Sequence, residues 1–127
     1  MKLRVVITDY IYGEPDEERE VLRRIGADLE MHQCQTEEEV IDVAKDADGI
    51  LNTYAPVSRR VIESLRKCRA IGRYGIGYDT IDVATATERG IAVMNVPTYC
   101  VDEVADHTLA LILAAARRVS IYDRSIR

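Results

Sequence analysis

The stretch LRVVITD, residues 3–9, decides the fold because it is a nearly continuous β-branched run with no polar alternation. Such a run is typical of a strand covered on both faces, as strands of a parallel sheet are. The acidic segment PDEERE, which begins at Pro15, then opens a helix with the apolar stripe Val21, Leu22 and Ile25 and a stop at Gly26. The first 26 residues therefore predict one β-α unit.

The same alternation of strand and helix repeats along the chain. Further strands are expected in DLEMHQC (28–34, edge-like because it alternates), GILN (49–52), residues 70–74 and IAVMNV (91–96), which Pro97 ends. The helices between them are predicted in TEEEVIDVAKDA (36–47), RRVIESLRK (59–67) and IDVATATERG (81–90), and a long last helix in VDEVADHTLALILAAARRV (101–119). Helical crossovers between parallel strands are right-handed, so the pattern predicts an α/β fold. With the first strand central, this is a flavodoxin-like, doubly wound, five-stranded parallel sheet of order 2-1-3-4-5.

Local signals mark several helix ends. Thr36 and Glu39 have the spacing of a capping box, and Ser58 is expected to cap the helix after it. Gly90 is expected to stop the fourth helix. The whole chain, residues 1–127, is predicted to be a single flavodoxin-like domain, with a sheet-helix core in 1–97 and a crossover and dimerisation helix in 98–127.

Composition restricts the partners. A net charge of −5 argues against nucleic acid and against an anionic membrane surface, because both require clustered Lys and Arg. Cys34, Cys68 and Cys100 form no C-x-x-C pair, so neither a disulfide framework nor a metal site is predicted. No secretory signal is recognised before the first strand, and the apolar run 109–116 is too short to span a bilayer. A cytoplasmic location is expected.

The segment GRYGIGYDTID, residues 72–82, is the richest candidate for a ligand loop. It fails the dinucleotide fingerprint, since the third glycine position falls on Thr80 and since Tyr78 and Asp79 add bulk and negative charge. Ligands of open α/β sheets bind beyond the carboxyl ends of strands, where residues 9–10, 52–55, 75–77 and 95–97 are expected. Consecutive amides in a glycine-rich turn can bind a small carboxylate. The alternative is that Gly75 and Gly77 serve only a tight turn, and spacing alone leaves both open.

The stretch RAIGRYGIGYDTIDVATATERGIAVMNVPTYCVDEVADHTLALILAAARR, residues 69–118, resembles the NAD-dependent D-isomer-specific 2-hydroxyacid dehydrogenases. The resemblance rests on G-x-G-x-D, G-I-x-V-x-N-V-P and E-V-A-D-H-T-L-A-L, taken together. It implies that this chain is the family's substrate-binding domain. It also implies that backbone amides of two loops hold the substrate carboxylate, in the segments that contain Tyr54, Ala55, Tyr74, Gly75, Ile76 and Gly77.

The resemblance further places Tyr99, Cys100 and Val101 near the nicotinamide, and lets His107 and Thr108 approach the cofactor, which is NAD or NADP in the full-length family. The family's dinucleotide loop and its catalytic Arg, Glu and His have no match in this sequence. No catalytic residue and no cofactor of its own are therefore predicted, and His107 does not match the catalytic histidine. The expected function is an isolated substrate-binding half of an oxidoreductase, truncated or engineered and inactive alone. The alternative is a non-catalytic dimeric scaffold or interaction module.

The run LALILAAA, residues 109–116, is apolar on every side, whereas a surface helix shows one apolar stripe. We therefore expect a homodimer through the last helix, with exchange of a strand or helix as one form of it. The alternative is that this helix folds back and covers its apolar surface within one chain.

Overall fold

A computed structural model describes residues 2–127, which form two compact units, one ending at Pro97 and the other running from Thr98 to Arg127. In the first unit, strands and helices alternate in the order β1 (Leu3–Ile7), α1 (Asp16–Arg24), β2 (Ala27–Met31), α2 (Glu37–Ala44), β3 (Gly49–Asn52), α3 (Arg59–Ser64), β4 (Ala70–Arg73), α4 (Val83–Glu88) and β5 (Ala92–Met94). The second unit contains α5 (Val101–Ala116) and α6 (Val119–Ile126).

The sheet has the predicted topology. Its five strands are all parallel and lie in the order β2-β1-β3-β4-β5, so both the doubly wound fold and the edge position of β2 are confirmed. In the register, Ile50 lies beside Ile71, and Leu51 lies between Ile7 and Gly72. Because successive side chains point to opposite faces, Ile50 and Ile71 face one side and Leu51 the other.

One face of the sheet carries the closed core. Ile50 and Ile71 pack there with buried residues of α2, α3 and α4, which are Val40, Ala44, Val61, Ile62 and Ala86. The opposite face has α1 beside an apolar groove of about 620 Å³, lined by Leu3, Leu51 and Met94 as well as by Leu22 of α1. Leu22 and Ile25 of the stripe predicted for α1 thus line an open groove, whereas Val21 does not line it and remains 58% exposed.

Most helix ends follow the sequence signals. Thr36 Oγ1 accepts from Glu39 N at 3.3 Å while Glu39 Oε2 accepts from Thr36 N at 3.1 Å, which is the predicted capping box. Gly26 and Gly90 follow their helices at φ +69°, the left-handed conformation of a glycine stop. The prediction for Ser58 is wrong as regards its side chain. Its hydroxyl is buried and bonds to none of the residues described, so it does not cap α3.

The predicted long last helix is interrupted. α5 ends at Ala116, α6 begins at Val119, and Arg118 between them has a left-handed φ of +55°. The amide of Arg118 then bonds to Ala115 O at 3.1 Å, three residues back, so the regular α-helical ladder stops there. The left-handed residue here is an arginine and not a glycine, so the sequence carries no stop signal and the break was not predicted. Within residues 2–127, no helix has both the length and the apolar character that crossing a bilayer requires.

Candidate functional site

Two neighbouring loops bring together the six residues predicted to bind a carboxylate. Loop 3 (residues 53–57) follows β3, and loop 4 (residues 74–82) follows β4. Tyr74 N donates to Asn52 O at 2.8 Å at the base of the loops, and Val57 N donates to Thr80 O at 2.8 Å further along. Because the loops are joined at both points, they form one continuous main-chain surface at the carboxyl edge of the sheet.

Five consecutive amides of loop 4, those of residues 76–80, donate to no acceptor in residues 2–127, and the two predicted to bind a carboxylate are among them. Gly75 O accepts from Val96 N at 3.0 Å, and Ile76 O accepts from Asn95 Nδ2 at 2.8 Å. The amides of Tyr74 and Gly75 donate to Asn52 O and Arg73 O, whereas those of Ile76 and Gly77 donate to no acceptor in residues 2–127. Consecutive N–H groups without an internal acceptor are available to bind an anion.

Of the two loop 3 residues predicted to offer an amide, Tyr54 and Ala55, only Ala55 has an N–H group without a partner in residues 2–127. Asp9, which follows β1 and is 6% exposed, accepts from Thr53 N at 3.0 Å and from Tyr54 N at 2.6 Å. The Tyr54 amide is therefore already bonded within the protein. The next amide, that of Ala55, donates to no acceptor in the part of the chain described, so Ala55 is the residue of loop 3 whose N–H is available to a ligand.

Arg73 places a positive charge between the two loops. Its Nη1 donates to Tyr74 O at 2.6 Å, its Cζ lies 6.0 Å from the centre of the Tyr54 ring, and its buried Nε has no hydrogen-bond partner among residues 2–127. A Cβ on Gly75 would lie 1.6 Å from Nη1. Arg73 was not predicted as a site residue, because a charged side chain at the end of a strand usually indicates only a solvent-exposed position. The signal was the glycine two residues later, which makes room for the guanidinium.

Three tyrosines form a wall beside loop 4. The rings of Tyr10, Tyr12 and Tyr74 contact one another with centroids 5.3 to 5.9 Å apart. The hydroxyls of Tyr10 and Tyr74 both donate to Glu18 Oε1 of α1, at 3.0 and 2.9 Å. Burial, strengthened by Glu18, raises the pKa of Tyr10 to about 12 and raises that of Tyr74 as well. The wall thus ties α1 to the ends of β1 and β4 through protonated phenols.

This wall predicts a loss of stability in alkali. The folded state raises the pKa of Tyr10 from about 10 to about 12. The protonated phenol therefore stabilises the folded state fully below pH 10, and this stabilisation is lost as the pH rises to 12. Denaturant unfolding between pH 9 and 12 should show this fall, and Tyr10→Phe and Tyr74→Phe should flatten it. Tyr78→Phe, at an exposed ring, is the matched control. An equally steep fall in Tyr10→Phe and Tyr74→Phe would contradict the assignment.

The residues predicted near a cofactor lie in the second unit. Cys100 is the N-cap of α5 without a side-chain capping bond, Val101 and His107 are exposed, and Thr108 Oγ1 donates to Val104 O at 2.6 Å. Their role toward NAD or NADP stays a prediction.

Loop 4 does not fit a dinucleotide pyrophosphate. Such a site needs the loop to lead directly into a helix N-terminus. α4 begins only at Val83, six residues after Gly77, and the carboxylate of Asp82 already accepts from its first turn, from Thr85 N at 2.9 Å.

Two of the three cysteine thiols are shielded from a ligand. Cys34 and Cys68 are buried, and burial raises the pKa of both thiols. In residues 2–127, no group of three or more His, Cys, Asp or Glu side chains could hold a metal ion. The site is therefore one of main-chain donors and a single nearby cation.

Comparison with known proteins identifies relatives of this chain. The family model described as "D-isomer specific 2-hydroxyacid dehydrogenase, catalytic domain" matches residues 5–122. The chain is 37% identical over 118 residues to a D-3-phosphoglycerate dehydrogenase of Methanocaldococcus jannaschii, covering 92% of this chain and 22% of that protein. It is 42% identical over 89 residues to a glyoxylate reductase of Korarchaeum cryptofilum, covering 69% and 27%. The chain thus spans about a quarter of these relatives' length.

Solved structures show the same fold. The D-lactate dehydrogenase of Aquifex aeolicus, crystallised with NAD and lactic acid, matches with a TM-score of 0.79 and 25% identity over 94% of this chain and 36% of that one. The PH0520 protein of Pyrococcus horikoshii matches with a TM-score of 0.79 and 29% identity over 100% of this chain and 37% of that one. The similarity extends over nearly the whole of residues 1–127.

Proposed function

Since this chain belongs to the D-isomer specific 2-hydroxyacid dehydrogenase family, we propose that it holds the carboxylate of a small 2-oxo or 2-hydroxy acid. The amides of Ala55, Ile76 and Gly77 are the proposed donors. The observation that carries the proposal is that these three N–H groups, on two joined loops, have no acceptor among residues 2–127. Hydrogen bonds from N–H groups to an anion are shorter and stronger than those to a neutral carbonyl.

Arg73 supplies the charge that main-chain amides lack. Its guanidinium lies against Gly75 and beside Tyr54, and it holds only the carbonyl of Tyr74 among residues 2–127. A cation next to a neutral group of donors favours a carboxylate over an uncharged ligand of the same shape.

The residues described here hold a substrate but do not by themselves complete a reaction. Loop 4 does not fit the pyrophosphate of a dinucleotide, and we propose that this chain alone does not transfer a hydride between cofactor and substrate.

The chain is also proposed to form a homodimer through its last helices. The supporting observation is that Leu109, Leu111, Ile112 and Leu113 of α5 are each more than half exposed. Contiguous apolar surface of this kind marks an interaction site.

Titration of the ¹⁵N-labelled chain with pyruvate tests the carboxylate site. We expect the amide signals of Ala55, Ile76 and Gly77 to shift with pyruvate but not with methyl pyruvate, which lacks the negative charge. Arg73→Gln should weaken pyruvate binding about tenfold, since a charged partner contributes about 1.4 kcal/mol more than a neutral one. Arg66→Gln is the matched control, because this exposed arginine pairs with Asp46, outside both loops. Equal responses to acid and ester, or none at these amides, would contradict the proposal.

A further inference from the structure

Asn52, the last residue of β3, is fully buried and bridges the two loops of the site. Its Nδ2 donates to Ala55 O of loop 3 at 2.8 Å, and its Oδ1 accepts from Thr80 Oγ1 of loop 4 at 3.3 Å. Its main-chain carbonyl accepts from Tyr74 N. One residue is therefore bonded to both ends of the surface that carries the free amides.

The carboxamide of Asn52 is held in one orientation. Thr8 Oγ1 lies 3.1 Å and Asp9 Oδ1 3.4 Å from its Nδ2, and the hydroxyl of Thr8 itself donates to Asp9 Oδ1 at 2.9 Å. All neighbours on the Nδ2 side are thus acceptors, whereas the neighbour on the Oδ1 side is a hydroxyl donor. A flipped amide would place its oxygen against the Asp9 carboxylate, which is unfavourable for a buried group.

We propose that Asn52 is a positioning residue, which sets the separation between the Ala55 amide and the amides of Ile76 and Gly77. Asp9 assists it, since its carboxylate orients the Asn52 amide and fixes loop 3 through the amides of Thr53 and Tyr54. This inference rests on the proposed carboxylate site. An aspartate at position 52 could not donate to Ala55 O, and an aliphatic side chain would leave both Ala55 O and the Thr80 hydroxyl without this partner.

Two variants and one control separate positioning from general stability. Asn52→Ala removes the two side-chain hydrogen bonds to the loops and leaves the main-chain bond from Tyr74 N. Thr80→Val keeps the shape of the Thr80 side chain and removes only its hydrogen bond to Asn52. Val61→Ala in α3 is the control, because Val61 is fully buried in the core and makes no bond to either loop. Each protein is titrated with pyruvate, and the amide signals of Ala55, Ile76 and Gly77 are recorded before and after the titration.

We expect the pyruvate Kd to rise at least tenfold in Asn52→Ala and about threefold in Thr80→Val. It should stay within twofold of wild type in Val61→Ala, even though that variant is less stable. The free-state amide signals of Ala55 and Ile76 should move in the first two variants only. If wild type binds and both loop variants bind as well as it does, the positioning role is wrong and the carboxylate site stands. If wild type does not bind pyruvate, the proposed function itself fails. If Asn52→Ala does not fold, Thr80→Val decides.

Discussion

Gly75→Ala is expected to weaken pyruvate binding more than tenfold and to lower the free energy of unfolding by about 1–3 kcal/mol. Gly75 has φ +136°, which L-residues rarely adopt, and an added Cβ would lie 1.6 Å from Arg73 Nη1. The substitution therefore forces both the loop 4 backbone and the guanidinium to move. Since the free amides of Ile76 and Gly77 follow directly, their geometry changes with it.

Two other glycines provide matched controls for this variant. Gly26→Ala, at φ +69° with nothing within 4 Å of the added methyl group, measures the backbone cost at the end of α1, outside both loops. Gly13→Ala, at φ +94° with open space around it, measures the backbone cost without a clash. We expect both Gly13→Ala and Gly26→Ala to lose stability but keep pyruvate affinity.

Thermal or urea unfolding gives the stability of each variant, and amide shift titration gives its pyruvate affinity. Unchanged affinity in Gly75→Ala would show that loop 4 is not the carboxylate site. A loss of pyruvate affinity in Gly13→Ala as large as that in Gly75→Ala would show that affinity follows stability rather than loop geometry.

The sheet was predictable because each of its signals is local. The β-branched run at residues 3–9, the capping box at Thr36 and the stop glycines Gly26 and Gly90 each specify an element without reference to the rest of the chain. Right-handed crossovers then leave few topologies, and the predicted strand order is the observed one. Arg118 shows the limit of such signals, since its left-handed φ ends the helical ladder without a glycine.

The site was predictable only as a region. Parallel strands place residues 53–55 and 74–77 at one sheet edge, but hydrogen bonds between distant residues decide which amides remain free. Asp9 lies 45 residues before Tyr54 in the chain, and their 2.6 Å hydrogen bond removes the Tyr54 amide from the set of donors. The Arg73 guanidinium can lie beside loop 4 because Gly75 has no side chain, and no sequence motif signals this arrangement.

Leu109→Glu combined with Leu113→Glu is expected to convert a dimer into a monomer. The two side chains lie one turn apart on α5, so they share one face, and they are 58% and 63% exposed. Burying a leucine in a partner stabilises by about 1.5–3 kcal/mol, and a homodimer of the variant loses two leucines from each chain, so association weakens by a factor of about 10⁴ to 10⁸. Sedimentation velocity at concentrations of about 10–100 µM measures the change from dimer to monomer.

The control for this variant adds the same two charges elsewhere. Ala84→Glu with Thr87→Glu changes exposed positions of α4, outside the last helices, and should leave the dimer intact. It separates loss of apolar contact from electrostatic repulsion, because both variants carry two further negative charges. A wild-type monomer at these concentrations would refute dimerisation through the last helices. A dimer that survives Leu109→Glu with Leu113→Glu would place the interface on another surface, because two buried carboxylates without partners would cost more than most interfaces supply.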